Sequence, residues 1–235
     1  MKAAILSEFS AIKNVLLQQF AIYLIVGLVI GISMGTTIAM VACISAMAPI
    51  LMVFTFAGYD NMNGWERFRA TLPVARESLV IARYLNVLIS SIATLVVAFV
   101  IAMVLGQLSP VLPLDAESVQ TIADEMRHPL TVLGGGFAGM SLILMFSSLL
   151  QPFILRYGLT KALRWIPAAL MVLFLGVTLI LPEVIDAPQF IADFATWVED
   201  PGNIPVVIAG LAAITLGAYC ISCAGAIALY RKKEL

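Results

Sequence analysis

Residues Tyr59 to Gly106 read YDNMNGWERFRATLPVARESLVIARYLNVLISSIATLVVAFVIAMVLG, a charged stretch followed by an unbroken apolar run. The run from Leu85 to Gly106 is long enough to cross a membrane as a helix, which takes roughly 20 residues. The stretch before it, residues 59–84, holds four arginines, two glutamates and one aspartate around Pro73. We call residues 59–84 the charged segment. Its position beside the apolar run predicts a membrane protein with an exposed loop.

The rest of the chain follows the same plan. Apolar residues make up 62% of the 235 and charged residues only 11%, against about 25% charged residues in soluble domains. The apolar runs are continuous, whereas the strands of a membrane barrel alternate. We therefore predict an all-α integral membrane protein with a single domain, 1–235, and six transmembrane helices. The predicted spans are Leu17–Met34, Thr37–Gly58, Leu85–Gly106, Leu130–Leu155, Trp165–Leu181 and Ile204–Tyr230.

Charge in the connecting segments predicts the orientation. With both termini in the cytoplasm, twelve of the 13 basic residues lie inside and only Arg127 lies outside. Nine of the 14 acidic residues then lie outside. Lysine and arginine in short loops favour the cytoplasmic side, so we place the N- and C-termini and the charged segment in the cytoplasm.

Three segments flank the spans. Residues 1–16 place Phe9, Ile12 and Leu16 at helical spacing and predict an amphipathic elbow helix on the inner membrane face, with a solvated tail as the alternative. Residues 108–129 and 183–203 each hold an amphipathic stretch that begins with an aspartate suited to cap a helix. We predict two short helices on the outer surface, acting either as a lid or as interfacial anchors.

The spans carry few signs of chemistry. We find no charged residue within them, which argues against an ion-coupled carrier. No phosphate-binding GxxxxGK[ST] motif occurs, and His128 is the single histidine of the sequence. The CxxC of Cys220 and Cys223 falls in the middle of a span, where a packing role is favoured over redox chemistry. We expect no catalytic residue, no metal site and no cofactor in this chain, and no nucleic-acid partner.

Small residues recur at four-residue steps in two spans. Gly27, Gly31 and Gly35 stand in the first span, and Gly135 and Gly139 in the fourth. Such faces let helix backbones approach closely. They fit contacts within the chain or a seam between two subunits.

The charged segment has the pattern of two short helices that meet at Pro73. Trp65, Phe68 and Leu72 recur on one face, while charges of both signs lie opposite. A mixed-charge surface suits a protein partner better than an anionic lipid patch, which favours uncompensated basic clusters. The alternative is a topology loop without a partner.

Residues 64–89, GWERFRATLPVARESLVIARYLNVLI, resemble the loop between spans two and three of small ABC-2-type exporter permeases. The chain departs from that pattern at Ala75, where relatives often carry serine or threonine, and has Arg83 where lysine is common. The elements shared with the pattern are Trp65-Glu66, Leu72-Pro73, Arg76, Glu77, Leu79-Val80 and Arg83-Tyr84-Leu85.

The resemblance implies a permease subunit of an ABC transporter in the plasma membrane of a bacterium, exporting a hydrophobic or amphipathic peptide, lipid or drug. It implies a cytosolic ABC ATPase that binds ATP and Mg²⁺, and a second permease subunit, identical or related. The charged segment is then a cytoplasmic coupling helix on which the ATPase docks. The coupling residues implied are Trp65, Glu66, Arg67, Phe68, Arg69, Pro73, Arg76 and Glu77.

Two other classes remain as alternatives. A substrate-binding membrane subunit of an energy-coupling-factor importer is also small and has six spans, and it would retain a small molecule in an outer pocket. A lipid-modifying membrane enzyme would need a cluster of acids, histidines or a nucleophile at the interface, whereas the outer acids here are scattered.

Overall fold

The computed structural model describes residues 2–61, 76–111, 115–159, 196–197 and 202–231. All regular structure in these ranges is helical. In chain order the helices are α1 Lys2–Met34, α2 Thr37–Asn61, α3 Arg76–Leu108, α4 Ala116–Arg127, α5 Pro129–Tyr157 and α6 Ile204–Arg231, with a short 3-10 helix at Ser109–Val111.

Five of these helices are long and apolar enough to cross a membrane. Even the shortest candidate span, with 23 residues, rises roughly 34 Å as a helix at 1.5 Å per residue. The prediction of an all-helical membrane protein is therefore confirmed. The predicted span Trp165–Leu181 lies outside the described residues, so the count of six and the side of the termini stay predictions. The candidate spans are Ile12–Met34, Thr37–Asp60, Glu77–Val111, Pro129–Tyr157 and Ile204–Arg231.

The first helix differs from the expectation of a separate elbow. α1 runs without interruption from Lys2 to Met34, so residues 2–16 continue directly into the first span. Ile12 is only 1% exposed and belongs to a buried cluster with Met52 and Val80, and Leu16 packs against that cluster. These contacts with the bundle account for the continuous helix, and the predicted elbow is not confirmed.

The core is built around α2, which packs against α1, α3 and α5, while α5 also packs against α6. Buried apolar side chains form two clusters at different levels of the bundle. One includes Met52, Val87 and Leu144, towards the predicted cytoplasmic end. The other includes Val41 and Val132, towards the predicted outer end.

Most glycines of the two motifs face α2, whereas Gly35 lies against Ser118 of α4. A Cβ atom on Gly139 would lie 2.8 Å from the carbonyl oxygen of Ala42, so the backbones of α5 and α2 touch at this point. One turn earlier, Ser45 Oγ donates a hydrogen bond of 2.7 Å to the carbonyl of Gly136. On α1, a Cβ on Gly31 would lie 2.7 Å from Met40 Cβ. Both motifs therefore make contacts within one chain, the first of the two uses foreseen for them.

Replacing Gly139 with leucine is expected to lower the free energy of unfolding by about 1–3 kcal/mol, the usual cost of forcing a larger side chain into a packed interface. The Ala42 backbone cannot move aside as a flexible side chain would. Gly210→Leu is the matched control, because a Cβ on Gly210 would meet no atom within 4 Å. Denaturant unfolding of both variants in the same detergent tests this, and equal midpoints would contradict the close approach.

Candidate functional site

The structure describes the two ends of the predicted coupling segment. Six of its predicted contact residues lie in 62–75, outside the described residues: Trp65, Glu66, Arg67, Phe68, Arg69 and Pro73. Arg76 is the first residue of α3 and Glu77 the second. The preceding helix, α2, ends at Asn61.

A buried ion pair joins these two ends. Arg83 Nη1 lies 2.6 Å from Asp60 Oδ2, and the two side chains are only 6% and 14% exposed. The guanidinium carbon of Arg83 also lies 5.3 Å from the ring centroid of Phe56, a cation–π contact. Asp60 stands in the last turn of α2, at the negative end of the helix dipole, where a cation opposite is favourable. The pair fixes α2 and α3 side by side where the charged segment begins and ends.

The burial of Arg83 corrects an expectation drawn from the sequence. From the sequence, Arg83 was predicted to lie in an exposed loop, and the spans were predicted to contain no charged residue. Because α3 already begins at Arg76, Arg83 lies in its third turn, within the candidate span Glu77–Val111. It is 5% exposed and contacts the bundle instead of solvent.

A second ion pair joins α3 to the end of α6. Arg231 Nη2 and Glu77 Oε1 are in direct contact, with side chains 63% and 48% exposed. Such exposed pairs contribute about 0–1 kcal/mol. Glu77 in the first turn of α3 and Arg231 in the last turn of α6 each match the sign of the helix dipole. The pair therefore positions the end of α6 beside the charged segment and adds little to stability.

Hydrogen bonds extend this arrangement into the bundle. Tyr219 OH donates to the carbonyl oxygen of Tyr84 at 3.0 Å, and Gln151 Nε2 donates to Tyr219 OH at 3.2 Å. Tyr84 OH and Ser222 Oγ are 2.8 Å apart, and the two tyrosine rings pack with centroids 4.9 Å apart. α3, α5 and α6 are joined by these contacts. We call Asp60, Arg83, Tyr84, Gln151, Tyr219 and Ser222 together the inner polar cluster.

The inner polar cluster was not predicted, although a signal for it exists. Polar side chains within membrane helices usually face the bundle interior and pair with one another. Tyr219 and Ser222 interrupt the apolar run of the last predicted span, and Tyr84 directly precedes the run of the third. Gln151 stands beside Pro152 in α5. It is 1% exposed and bonded to Tyr219, and α5 continues to Tyr157.

Replacing Tyr219 with phenylalanine is expected to lower the free energy of unfolding by about 1–2 kcal/mol, since interhelical hydrogen bonds average about 0.6 kcal/mol and a buried unpaired group costs more. The change removes one oxygen, so the Gln151 amide loses its acceptor and the Tyr84 carbonyl loses the hydrogen bond that it accepts from Tyr219 in addition to its helical one. Tyr157→Phe is the control, because Tyr157 is 51% exposed. Unfolding midpoints in one detergent compare the two, and equal losses would contradict the cluster.

On the predicted outer side, a carboxylate of α4 contacts the start of α2. α4 lies within the predicted segment 108–129, with Asp115 at the N-cap position but without a side-chain capping hydrogen bond. Its Glu125 carboxylate instead accepts hydrogen bonds from Thr37 N at 2.7 Å and Thr37 Oγ1 at 2.5 Å, and from Thr36 Oγ1. Glu125 therefore caps the N-terminus of α2. The second predicted outer segment, 183–203, lies largely outside the described residues.

Comparison with known proteins supports the resemblance drawn from the charged segment. The sequence profile of the ABC-2 family transporter proteins matches residues 4–231. No curated protein and no solved structure matches the chain. Members of this family are membrane components of transporters and are not themselves catalytic. The match gives no support to the alternative of an importer subunit. Because the match covers nearly the whole sequence, the chain belongs to the ABC-2 family of transporter proteins.

Proposed function

We propose that this chain is the permease subunit of an ABC exporter, driven by a separate cytosolic ATPase that docks on the charged segment. The observation that carries the proposal is the ion pair of Asp60 and Arg83, at 2.6 Å, at the base of that segment. A docking loop can move helices only if its two ends are firmly held by them. The buried pair supplies that connection to α2 and α3.

The docking surface proposed is the set Trp65, Glu66, Arg67, Phe68, Arg69, Pro73, Arg76 and Glu77. The charges contact the ATPase, while the aromatic residues and the proline stiffen the loop. Glu77 already contacts Arg231 on α6, so its role includes holding α6 close to the docking surface. ATP and Mg²⁺ are bound by the partner and supply the energy of transport.

Motion would pass from the charged segment into the bundle in two steps. The ATPase displaces the segment, and α2 and α3 follow as a pair because Asp60 and Arg83 join them. α3 then displaces α5 and α6, because Tyr219 bonds to the Tyr84 carbonyl and to Gln151. Packed helices joined in this way shift as rigid bodies instead of deforming. The second permease subunit provides the opposite wall of the path.

The proposed cargo is a hydrophobic or amphipathic molecule, such as a peptide, lipid or drug, carried across a bacterial plasma membrane. In the described candidate spans, Asp, Glu, Lys and Arg are confined to the end near the predicted cytoplasmic face. A path lined by apolar side chains recognises its cargo by shape and apolar area.

Purification of the tagged chain from its native membrane tests the proposal. We expect a nucleotide-hydrolysing protein to copurify and the assembly to hydrolyse ATP. A mock purification from cells without the tag is the control for contaminating ATPases. An assembly that contains the permease but no nucleotide-binding companion would overturn the proposal.

A further inference from the structure

A groove of about 280 Å³ opens between α1, α2 and α3. Its walls are mainly apolar, with Phe20 on α1, Met52 on α2 and Val97 on α3 among the lining residues. Among the lining residues that the structure describes, Lys13 is the single basic one and none is acidic. The groove is thus apolar along its length and carries one positive charge.

The part of the groove between Lys13 and Tyr23 has the length of one leaflet of a bilayer. Along α1 the lining runs from Phe9 to Tyr23, and the ten helical steps from Lys13 to Tyr23 rise roughly 15 Å at 1.5 Å per residue. The hydrocarbon core of a bilayer is about 30 Å thick, so half of it is also about 15 Å. With the predicted orientation, Lys13 lies at the cytoplasmic boundary and Tyr23 near the middle of the membrane.

Lys13 is available to bind an anion. Its side chain is exposed. Within the part of the chain that the structure describes, Lys13 forms no ion pair and no hydrogen bond. Lys13 lies at the start of the candidate span Ile12–Met34, and a lysine at the end of a span extends its ammonium to the membrane interface. The cytoplasmic leaflet holds anionic lipids, which are attracted to basic residues at that depth.

The polar groups inside the groove are already satisfied. Ser90 Oγ donates to the carbonyl of Asn86 at 2.7 Å, and Thr94 Oγ1 donates to the carbonyl of Ser90 at 2.8 Å. Tyr23 OH donates to Gln19 Oε1 at 3.4 Å. These three hydroxyl protons are therefore already used within the chain and are not available to donate to a bound molecule. A positive charge about one helical turn from the end of an apolar groove is complementary to an amphiphile with an anionic head.

We propose that the groove binds one acyl chain of an anionic glycerophospholipid from the cytoplasmic leaflet, with the lipid phosphate on Lys13. Inside a bilayer, contact between two apolar surfaces contributes little free energy, because lipid chains are equally apolar. Selectivity for this lipid therefore comes from the head group at Lys13 and from the concave shape of the groove.

Native mass spectrometry of the delipidated full chain, titrated with phosphatidylglycerol or phosphatidylcholine, tests the head-group contact. Lys13→Gln is expected to bind phosphatidylglycerol about fivefold more weakly, the factor for loss of one cation near an anionic lipid surface. Lys13→Arg should retain binding. Arg156→Gln is the matched control, because it removes another cation on the predicted cytoplasmic side that does not line the groove.

A second pair of variants tests the shape of the site. Ala93 lines the groove, so Ala93→Trp should fill it and remove the bound lipid. Ile92 is 47% exposed and lies outside the lining, so Ile92→Trp should retain lipid binding. Unfolding midpoints show whether each variant is folded. If Ala93→Trp does not fold, the binding measurement on Lys13→Gln alone tests the proposal.

Equal binding of both lipids, or unchanged phosphatidylglycerol binding in Lys13→Gln, would overturn the proposal. So would a dimer in which a second copy covers Lys13 and no lipid is retained. The measurement uses neither nucleotide nor ATPase. A chain that binds lipid but copurifies no ATPase would therefore contradict the proposed function and leave this inference standing.

Discussion

Replacing Arg83 with glutamine is expected to lower the free energy of unfolding by about 3–5 kcal/mol, the cost of breaking a buried ion pair by removing one partner. The substitution leaves the Asp60 carboxylate in the bundle without the guanidinium 2.6 Å away. It also removes the cation that faces the ring of Phe56. Denaturant unfolding in detergent micelles measures the change.

Two comparisons separate this effect from the simple loss of a charge. The double variant Asp60→Asn with Arg83→Gln should recover most of the stability, because both charges of the pair are removed together. Arg127→Gln breaks an exposed ion pair with Asp124, whose side chains are 76% and 70% exposed, and should change stability by less than about 1 kcal/mol. Equal losses in Arg83→Gln and Arg127→Gln would contradict the buried pair.

Reversing the charges of Arg69 and Arg76 is expected to abolish copurification of the ATPase. The double variant Arg69→Glu with Arg76→Glu changes the charge of the proposed docking surface by four units, and like charges opposed across an interface cost several kcal/mol. Membrane insertion should persist, since ten of the twelve basic residues predicted inside are kept. Affinity purification followed by detection of the ATPase gives the result.

Arg127→Glu serves as the control for this pair, because Arg127 is the one basic residue predicted to lie outside. It should leave ATPase binding unchanged. Undiminished assembly of the Arg69 and Arg76 double variant would count directly against docking on the charged segment. Loss of the permease itself from the membrane would point to a topology role for these arginines instead.

The membrane class and most spans could be predicted because the length of an apolar run is a local property. The runs that form α2 and α5 can be recognised from hydropathy alone, without knowing which helices they pack against. The limits of α1 and α3 were less accurate, since both helices extend beyond the apolar run. The parts of these helices that precede the apolar runs pack on the bundle through Ile12, Val80 and Tyr84, and the hydropathy of a run does not reveal such contacts.

The inner polar cluster could not be assembled from the sequence, because its members are far apart in the chain. Tyr84 and Ser222 are 138 positions apart, and Gln151 and Tyr219 are 68 apart. Glu125 illustrates the same limit. It looks like one acid among several on the solvent face of α4, yet it caps α2, which begins 88 residues earlier.

Photo-crosslinking from position 69 in native membranes tests the central claim most directly. A crosslinking residue in place of Arg69 should form an adduct with an ATP-binding protein, whereas one in place of Thr121, on the predicted outer helix α4, should not. If position 69 yields no adduct with an ATP-binding protein while position 121 does, or if position 69 is labelled only from outside the cell, the account is contradicted.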